Sequence, residues 1–160
     1  MMQLGPQGRA LIQSFERLVL AAYPDSGGVP TIGWGHTRGV KLGDRCTVSQ
    51  AADWFFADTQ DAVNAVIRTL DVPVSQCQFD ALVAFTFNVG ENAEAHSTLI
   101  KLVNGRHFEA AADEFAKWNH VNGKPTLGLT RRRAAERDLF VSTEDQTPVQ
   151  LPLTLPAGQP

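Results

Sequence analysis

The sequence predicts an α+β fold that is predominantly helical, with a small N-terminal lobe carrying a β-hairpin and one long helix joining it to a helical C-terminal lobe. Three observations predict it. Apolar residues recur at helical spacing through most of the chain, and two such runs open on capping boxes, Thr47-Val48-Ser49-Gln50 and Ser75-x-x-Gln78. A single strong turn signal, Ser26-Gly27-Gly28, precedes a short strand-like run at 29–35. The run that opens at Thr47 extends to about Leu70, long enough to bridge two lobes.

Taken in order, residues 1–8 read as a frayed leader, with Gly5-Pro6 as a breaker. Leu11, Ile12, Phe15, Leu18, Val19 and Ala22 share one helix face, which predicts an amphipathic helix over 9–22. The hairpin follows, and 38–46, rich in Gly and charge, reads as a loop. After the long helix, Asp71-Val72-Pro73 is a stop, and the second capping box opens a helix over 79–89 that Gly90 ends. Its apolar residues surround much of the circumference, which marks it as the buried centre of the second lobe. Shorter helices are expected over 97–104, 108–118 and 130–141, with a loop at 119–129. From Ser142 the chain carries four prolines and no basic residue, so 142–160 reads as a disordered or weakly docked tail behind a domain spanning 1–141.

Composition narrows the function. A chain of 160 residues with 43% hydrophobic and 19% charged content has the balance of a soluble globular domain. The net charge of -3 argues against a nucleic-acid partner, which needs clustered positive charge. No apolar stretch reaches the length of a membrane span, and Gln13, Glu16 and Arg17 interrupt the N-terminal one, so neither a signal peptide nor a membrane anchor is expected. Cys46 and Cys77 match no metal or redox spacing; two free thiols are the favoured reading, with a structural disulfide between them as the alternative.

The chemistry concentrates in 15–37, FERLVLAAYPDSGGVPTIGWGHT. Glu16 breaks the apolar pattern of the first helix, one turn from Ile12, Val19 and Leu20, so its carboxyl group emerges at the edge of an apolar stripe. Partial desolvation disfavours the charged form of a carboxyl group, which makes Glu16 a candidate proton donor. Asp25 and Thr31 flank the turn in a polar, glycine-lined setting, where a carboxylate stays ionised and a hydroxyl can bond water. Two carboxyl groups in unlike environments are the minimum equipment for hydrolysing a glycosidic bond.

Glu16, eight residues, Asp25, five residues, Thr31, then Gly33-Trp34-Gly35-His36: this pattern resembles the phage-type lysozymes of glycoside hydrolase family 24. The likeness extends to about Phe140 through QFDALVAFTFNVG at 78–90, Ser97-Thr98-Leu99, and a segment at 118–140 containing Gly128-Leu129 and Arg131-Arg132-Arg133. Together these blocks are far more specific than the triad spacing alone. The resemblance implies a lysozyme-like fold and a muramidase that cleaves the β-1,4 bond between N-acetylmuramic acid and N-acetylglucosamine in peptidoglycan. Glu16 is then the acid, while Asp25 and Thr31 activate a water on the opposite face of the sugar, with inversion. No metal or cofactor is implied. Release of phage progeny is the implied role, with accumulation in the host cytoplasm and a separate holin-type protein giving access to the wall; a monomer is the default.

The remaining candidates divide between chemistry and support. Trp34 stacks on a sugar or belongs to the core, and Gly33 and Gly35 admit a saccharide or ease a bend. Ser97 and Thr98 line the cleft, or one of them is a helix N-cap. His36 reads as structural, with Asp58 as its carboxylate partner. Among the three arginines, Arg132 is expected to reach into the cleft and pair with Glu16, opposing the effect of burial. His96, His107 and His120 read as surface residues. A zinc amidase lacks its ligand cluster in this sequence. A non-catalytic glycan-binding or structural domain is the alternative on the same fold, against which the intact triad argues.

Overall fold

Pro6 has no N–H to lose and a φ already suited to a helix, so it opens α1, Pro6–Phe15, at its first position. The computed structural model describes residues 2–144. The helix begins before Arg9 because its cap comes from far along the chain. Asp80 accepts from Gly5 N at 2.9 Å and Gly8 N at 3.0 Å, neutralising donors that no local side chain reaches. Residues 2–8 are therefore not a frayed leader, and Met2 is buried in the main core.

The expected helix over 9–22 is also corrected at its other end. α1 stops at Phe15, Glu16 turns extended at φ -100 and ψ 110, and Val19–Pro24 forms strand β1 against β2, Pro30–Gly33. Leu18, Val19 and Leu20 suit either a helix or a strand, and backbone partners on both edges of β1 decide the matter. On one edge Tyr23 pairs with Thr31; on the other Ala22 N donates to Asp44 O at 2.9 Å and Cys46 N to Leu20 O at 3.0 Å.

Both capping boxes form as the sequence indicates. Thr47 and Gln50 open α2, Val48–Thr69, and Ser75 and Gln78 open α3, Gln76–Val89, in which every residue from Phe79 to Thr86 is buried. Gly90, at φ 91, turns the chain into α4, Glu91–Ala95, which the apolar pattern does not signal. α5, Thr98–Asn104, starts at Ser97, whose hydroxyl caps Ile100 N. α6 covers only Phe108–Glu114, and a tighter 3-10 turn over Phe115–Lys117 completes the stretch expected as one helix.

The loop expected at 119–129 holds a small hairpin. β3, His120–Val121, and β4, Lys124–Pro125, pair across Asn122 and Gly123, whose φ values of 49 and 75 suit an Asn-Gly turn. α7, Leu127–Phe140, begins ahead of Thr130 because Thr126 supplies the cap to Leu129 N at 3.3 Å. Most of the expected tail, 145–160, lies outside the described residues.

The long helix α2 serves two apolar clusters. Ala62, Val63 and Val66 join the main core with residues of α3, α5, α6 and α7, while Phe55 packs with Ile12 and Ala84 in a second, smaller cluster. The hairpin rests on the N-terminal half of α2, and Glu16 lies where α1, the hairpin and α7 converge.

Candidate active site

Glu16 is the residue at which the chain leaves α1, so its backbone is fixed by the helix end while its side chain projects beyond it. Its N–H still donates to Ile12 O at 3.0 Å. Oε1 accepts from Arg132 Nη1 at 2.7 Å, and the Glu16 side chain retains 19% exposure. On the other side stands Gly35 at φ 82, where a Cβ would lie 2.8 Å from Glu16 Oε2. Glycine is required there twice, for the backbone angle and for the carboxylate.

Arg132 is itself held from three directions. Its Nε donates to Glu136 Oε1 at 3.2 Å, its Nη2 lies 3.4 Å from Ala84 O, and its guanidinium sits 5.7 Å from the centre of the Phe15 ring. Arg133 donates through Nη2 to Glu136 Oε1 at 2.9 Å and to Asn88 Oδ1 at 2.8 Å, and rests over Phe85. Its Nε comes within 2.8 Å of Glu136 Oε2, close enough for an ion pair though not aligned as a hydrogen bond. Burial pushes the Glu136 carboxyl above its ordinary value and the two arginines oppose this, while burial lowers Arg133.

Across the hairpin, Asp25 is locked by its own turn. Its Oδ1 accepts from Gly27 N and Val29 N, both at 2.8 Å, and among the described residues no protein group bonds Oδ2. Thr31, nearly buried, donates its hydroxyl proton to Val29 O at 2.9 Å, which leaves its oxygen as an acceptor.

His36 Nδ1 lies 2.8 Å from Asp58 Oδ2, and its ring stacks on Trp54 at 4.7 Å, nearly parallel. The pair ties the segment after β2 to α2. Gly33, at φ 65, faces Ala51 closely, and Trp34 packs toward Phe55 with ring centres 6.2 Å apart. Ser97 is occupied as the cap of α5, and neither it nor Thr98 lines the cavities beside Glu16.

Two cavities border the residues that touch the Glu16 carboxylate, one at Gly35 and the other at Arg132. One of about 340 Å³ is bordered by Gly35, Thr37, Phe87, Gly90 and Glu91; the other, about 720 Å³, by Phe15, Ser26, Trp118, Leu129 and Arg132. Both have aromatic and polar walls, the surroundings a ligand site commonly has.

The model of the family described as phage lysozyme matches residues 13–136. The chain belongs to the phage lysozyme family. Its activity is that of a muramidase endolysin, a glycoside hydrolase acting on peptidoglycan. It is 40% identical over 146 residues to an endolysin of Acyrthosiphon pisum secondary endosymbiont phage 1, covering 88% of this chain and 99% of the relative. It is 36% identical to a SAR-endolysin of Pseudomonas phage phiKMV, over 72% of this chain and 74% of that one. Among solved structures, the endolysin of Escherichia coli O157:H7 phage FAHEc1 superposes with a TM-score of 0.79 at 40% identity, covering 88% and 94% of the two chains.

Within this phage lysozyme site, sequence reasoning missed Glu136 and Trp54, and it gave Arg133 no role of its own beside Arg132. Arg132 and Glu136 stand four apart on one helix, as do Trp54 and Asp58, and that spacing was the available signal.

Proposed function

We propose that Glu16 is the acid of this muramidase and that Asp25 and Thr31 hold the attacking water. The support that carries this reading is the contrast between the two carboxyl groups. Glu16 is fixed by an arginine and a glycine that each border a cavity, whereas Asp25 uses backbone donors for one oxygen and keeps the other free of protein partners among the described residues.

The proton inventory orients the water. Thr31 has spent its proton on Val29 O, so it accepts one hydrogen from the water while Asp25 Oδ2 accepts the other. The water's lone pair is then left to attack the anomeric carbon as Glu16 protonates the leaving oxygen. The water proton passes to Asp25, the C–O bond breaks, and attack from the opposite face inverts the configuration. The β-linkage therefore yields the α-anomer first.

Digestion of purified peptidoglycan by the parent and by Glu16→Gln tests this, with fragments identified by mass spectrometry and the first-formed anomer read by NMR. N-acetylmuramic acid reducing ends that appear as the α-anomer, with almost none from the variant, are expected. A β-anomer would overturn the water mechanism, and unchanged cleavage by the variant would remove Glu16 as the acid.

We further infer a single catalytic domain over 1–141, acting as a monomer, that reaches the wall from the host cytoplasm through a separate permeabilising protein. Among the described residues no helix is long and apolar enough to cross a membrane. The SAR-endolysin relatives keep a second route in view, and expression with and without a holin distinguishes the two: lysis without one would reject the proposed route. The family assignment does not favour the alternative of a non-catalytic module on this fold.

A further inference from the structure

Glu94 is a carboxyl group for which the hydrolysis has no use, yet it is 0% exposed. It stands on α4 with Oε1 2.8 Å from Thr69 Oγ1 of α2, and its Oε2 is buried with no hydrogen-bond partner. Thr69 Oγ1 also lies 3.1 Å from Val66 O. A hydroxyl has one proton, and here it faces two acceptors.

A neutral Glu94 resolves that geometry. Its O–H donates to Thr69 Oγ1, which donates in turn to Val66 O, and both contacts become hydrogen bonds. An ionised Glu94 competes with Val66 O for the single proton and leaves a charged oxygen unbonded in the interior, which is costly. Burial acts in the same direction, raising the carboxyl from 4.5 to about 7 against the lowering effect of the Thr69 bond, with the Glu91 charge adding to the rise.

The location gives this proton a consequence. Gly90 and Glu91, the cap and first residue of α4, border the 340 Å³ cavity together with Gly35, the residue against Glu16. A helix of five residues has little stability of its own, so contacts decide where it sits. Two of these reach α2: the exposed ion pair of Arg68 with Glu91 at 2.6 Å, and the buried contact of Thr69 with Glu94.

We propose that neutral Glu94 is a positioning residue, latching α4 onto α2 so that the cleft wall fits the glycan chain, and that its ionisation loosens this wall and weakens substrate binding. The proposal rests on the muramidase reading of the cleft. Among the described residues the titratable and charged groups on the elements packed around Glu94 are few, and His96, which closes α4, is exposed with its Nδ1 2.8 Å from Asn92 O. Glu91 on its own helix is engaged by Arg68 of α2, and Asp71 beyond the end of α2 is exposed. The last nine residues of α3, 81–89, carry no charged side chain, and α5 carries only Lys101, exposed.

The test compares parent and Glu94→Gln on soluble, uncrosslinked peptidoglycan strands, with kcat and KM measured from about pH 5.5 to about 9. The Glu94 carboxyl carbon and the Gly90 and Glu91 amides are followed by NMR over the same range. The parent KM is expected to rise several-fold as Glu94 ionises, with kcat following the same pH profile in both proteins, while the variant KM stays flat. The carbon should titrate near neutrality, with the two amides following it. A variant KM profile identical to the parent's, or a carbon titrating below about pH 5, would overturn the latch. A parent that cleaves nothing at any pH would instead sink the muramidase reading; the amides then decide the latch, supporting it if they follow the carbon and rejecting it if they do not.

Discussion

Arg132 bridges Glu16 and Glu136, with Nη1 2.7 Å from the first and Nε 3.2 Å from the second, so one guanidinium joins the proposed acid to a buried carboxylate. Removing it leaves Glu136 short of one cation in the interior and Glu16 without its orienting partner. Arg132→Ala is expected to cost about 3–5 kcal/mol of stability, the usual effect of breaking a buried pair from one side. Activity measured where the variant is still folded should fall about 100-fold through misplacement of the acid. Denaturant unfolding and turbidity assays check the two parts, and a folded variant at parental activity would free Glu16 from this dependence.

The arginine illustrates what the sequence can and cannot carry. Its pairing with Glu16 spans 116 positions and has no local signal, whereas Arg132 and Glu136 share a helix face at a spacing visible in the sequence. Local signals were legible where they acted locally: Thr47 with Gln50, Ser75 with Gln78, and Gly90 as a stop. They failed where a distant group decides. The local pattern starts the first helix late because its cap, Asp80, lies on α3, and ends it late because β1 is defined by partners at Thr31 and Asp44. Asn122-Gly123 carries a hairpin signal, but strands of two residues leave no alternation to count, so the pattern around it is that of a loop.

Asp80 gives the second prediction. It is 1% exposed, holds Gly5 N and Gly8 N at the start of α1, and also accepts from Gln76 Nε2 at 2.7 Å. Asp80→Ala strands the buried Gly8 donor, at a cost of about 2–3 kcal/mol for lost bonds to a charged group. For a chain of this size that lowers Tm by about 5–10 °C. Asp80→Asn, which retains one acceptor, should lose less. Since Glu16 directly follows the last residue of α1, loss of activity should accompany the thermal shift and disappear at low temperature; an unchanged Tm in the Ala variant would show that the cap contributes nothing.

Gly35 offers a test of geometry with little chemistry in it. Its φ of 82 disfavours any side chain, and the added Cβ would meet Glu16 Oε2 at 2.8 Å. Gly35→Ala therefore carries a backbone penalty of about 1–2 kcal/mol and pushes the proposed acid from its place. The expected result is a drop of at least about tenfold in kcat with a small loss of stability, since a displaced catalytic group slows the chemical step. Gly39→Ala is the control: its φ of 72 is similar, but nothing lies within 4 Å of its Cβ position, so it should lose stability alone. Equal activity losses in the two variants would show that contact with Glu16 is irrelevant.

The sign of the Glu94 effect on stability follows from its surroundings. Burial holds the folded carboxyl near 7, above the ordinary 4.5, so the folded protein keeps a proton that the unfolded chain has released between those two values. Stability from this group is fully present below 4.5, declines as pH rises through the window, and reaches its minimum above about 7. The gap corresponds to about 3 kcal/mol as an upper figure, less whatever water and local movement recover. Urea unfolding of parent and Glu94→Gln at about pH 5 and about pH 8 isolates the term, because other titrating groups act alike in both proteins. The amide can donate to Thr69 as the neutral acid does, so the two proteins should be nearly equal at the lower pH and the variant more stable at the higher. If their difference does not change with pH, Glu94 is not the proton-binding group that the Thr69 geometry requires.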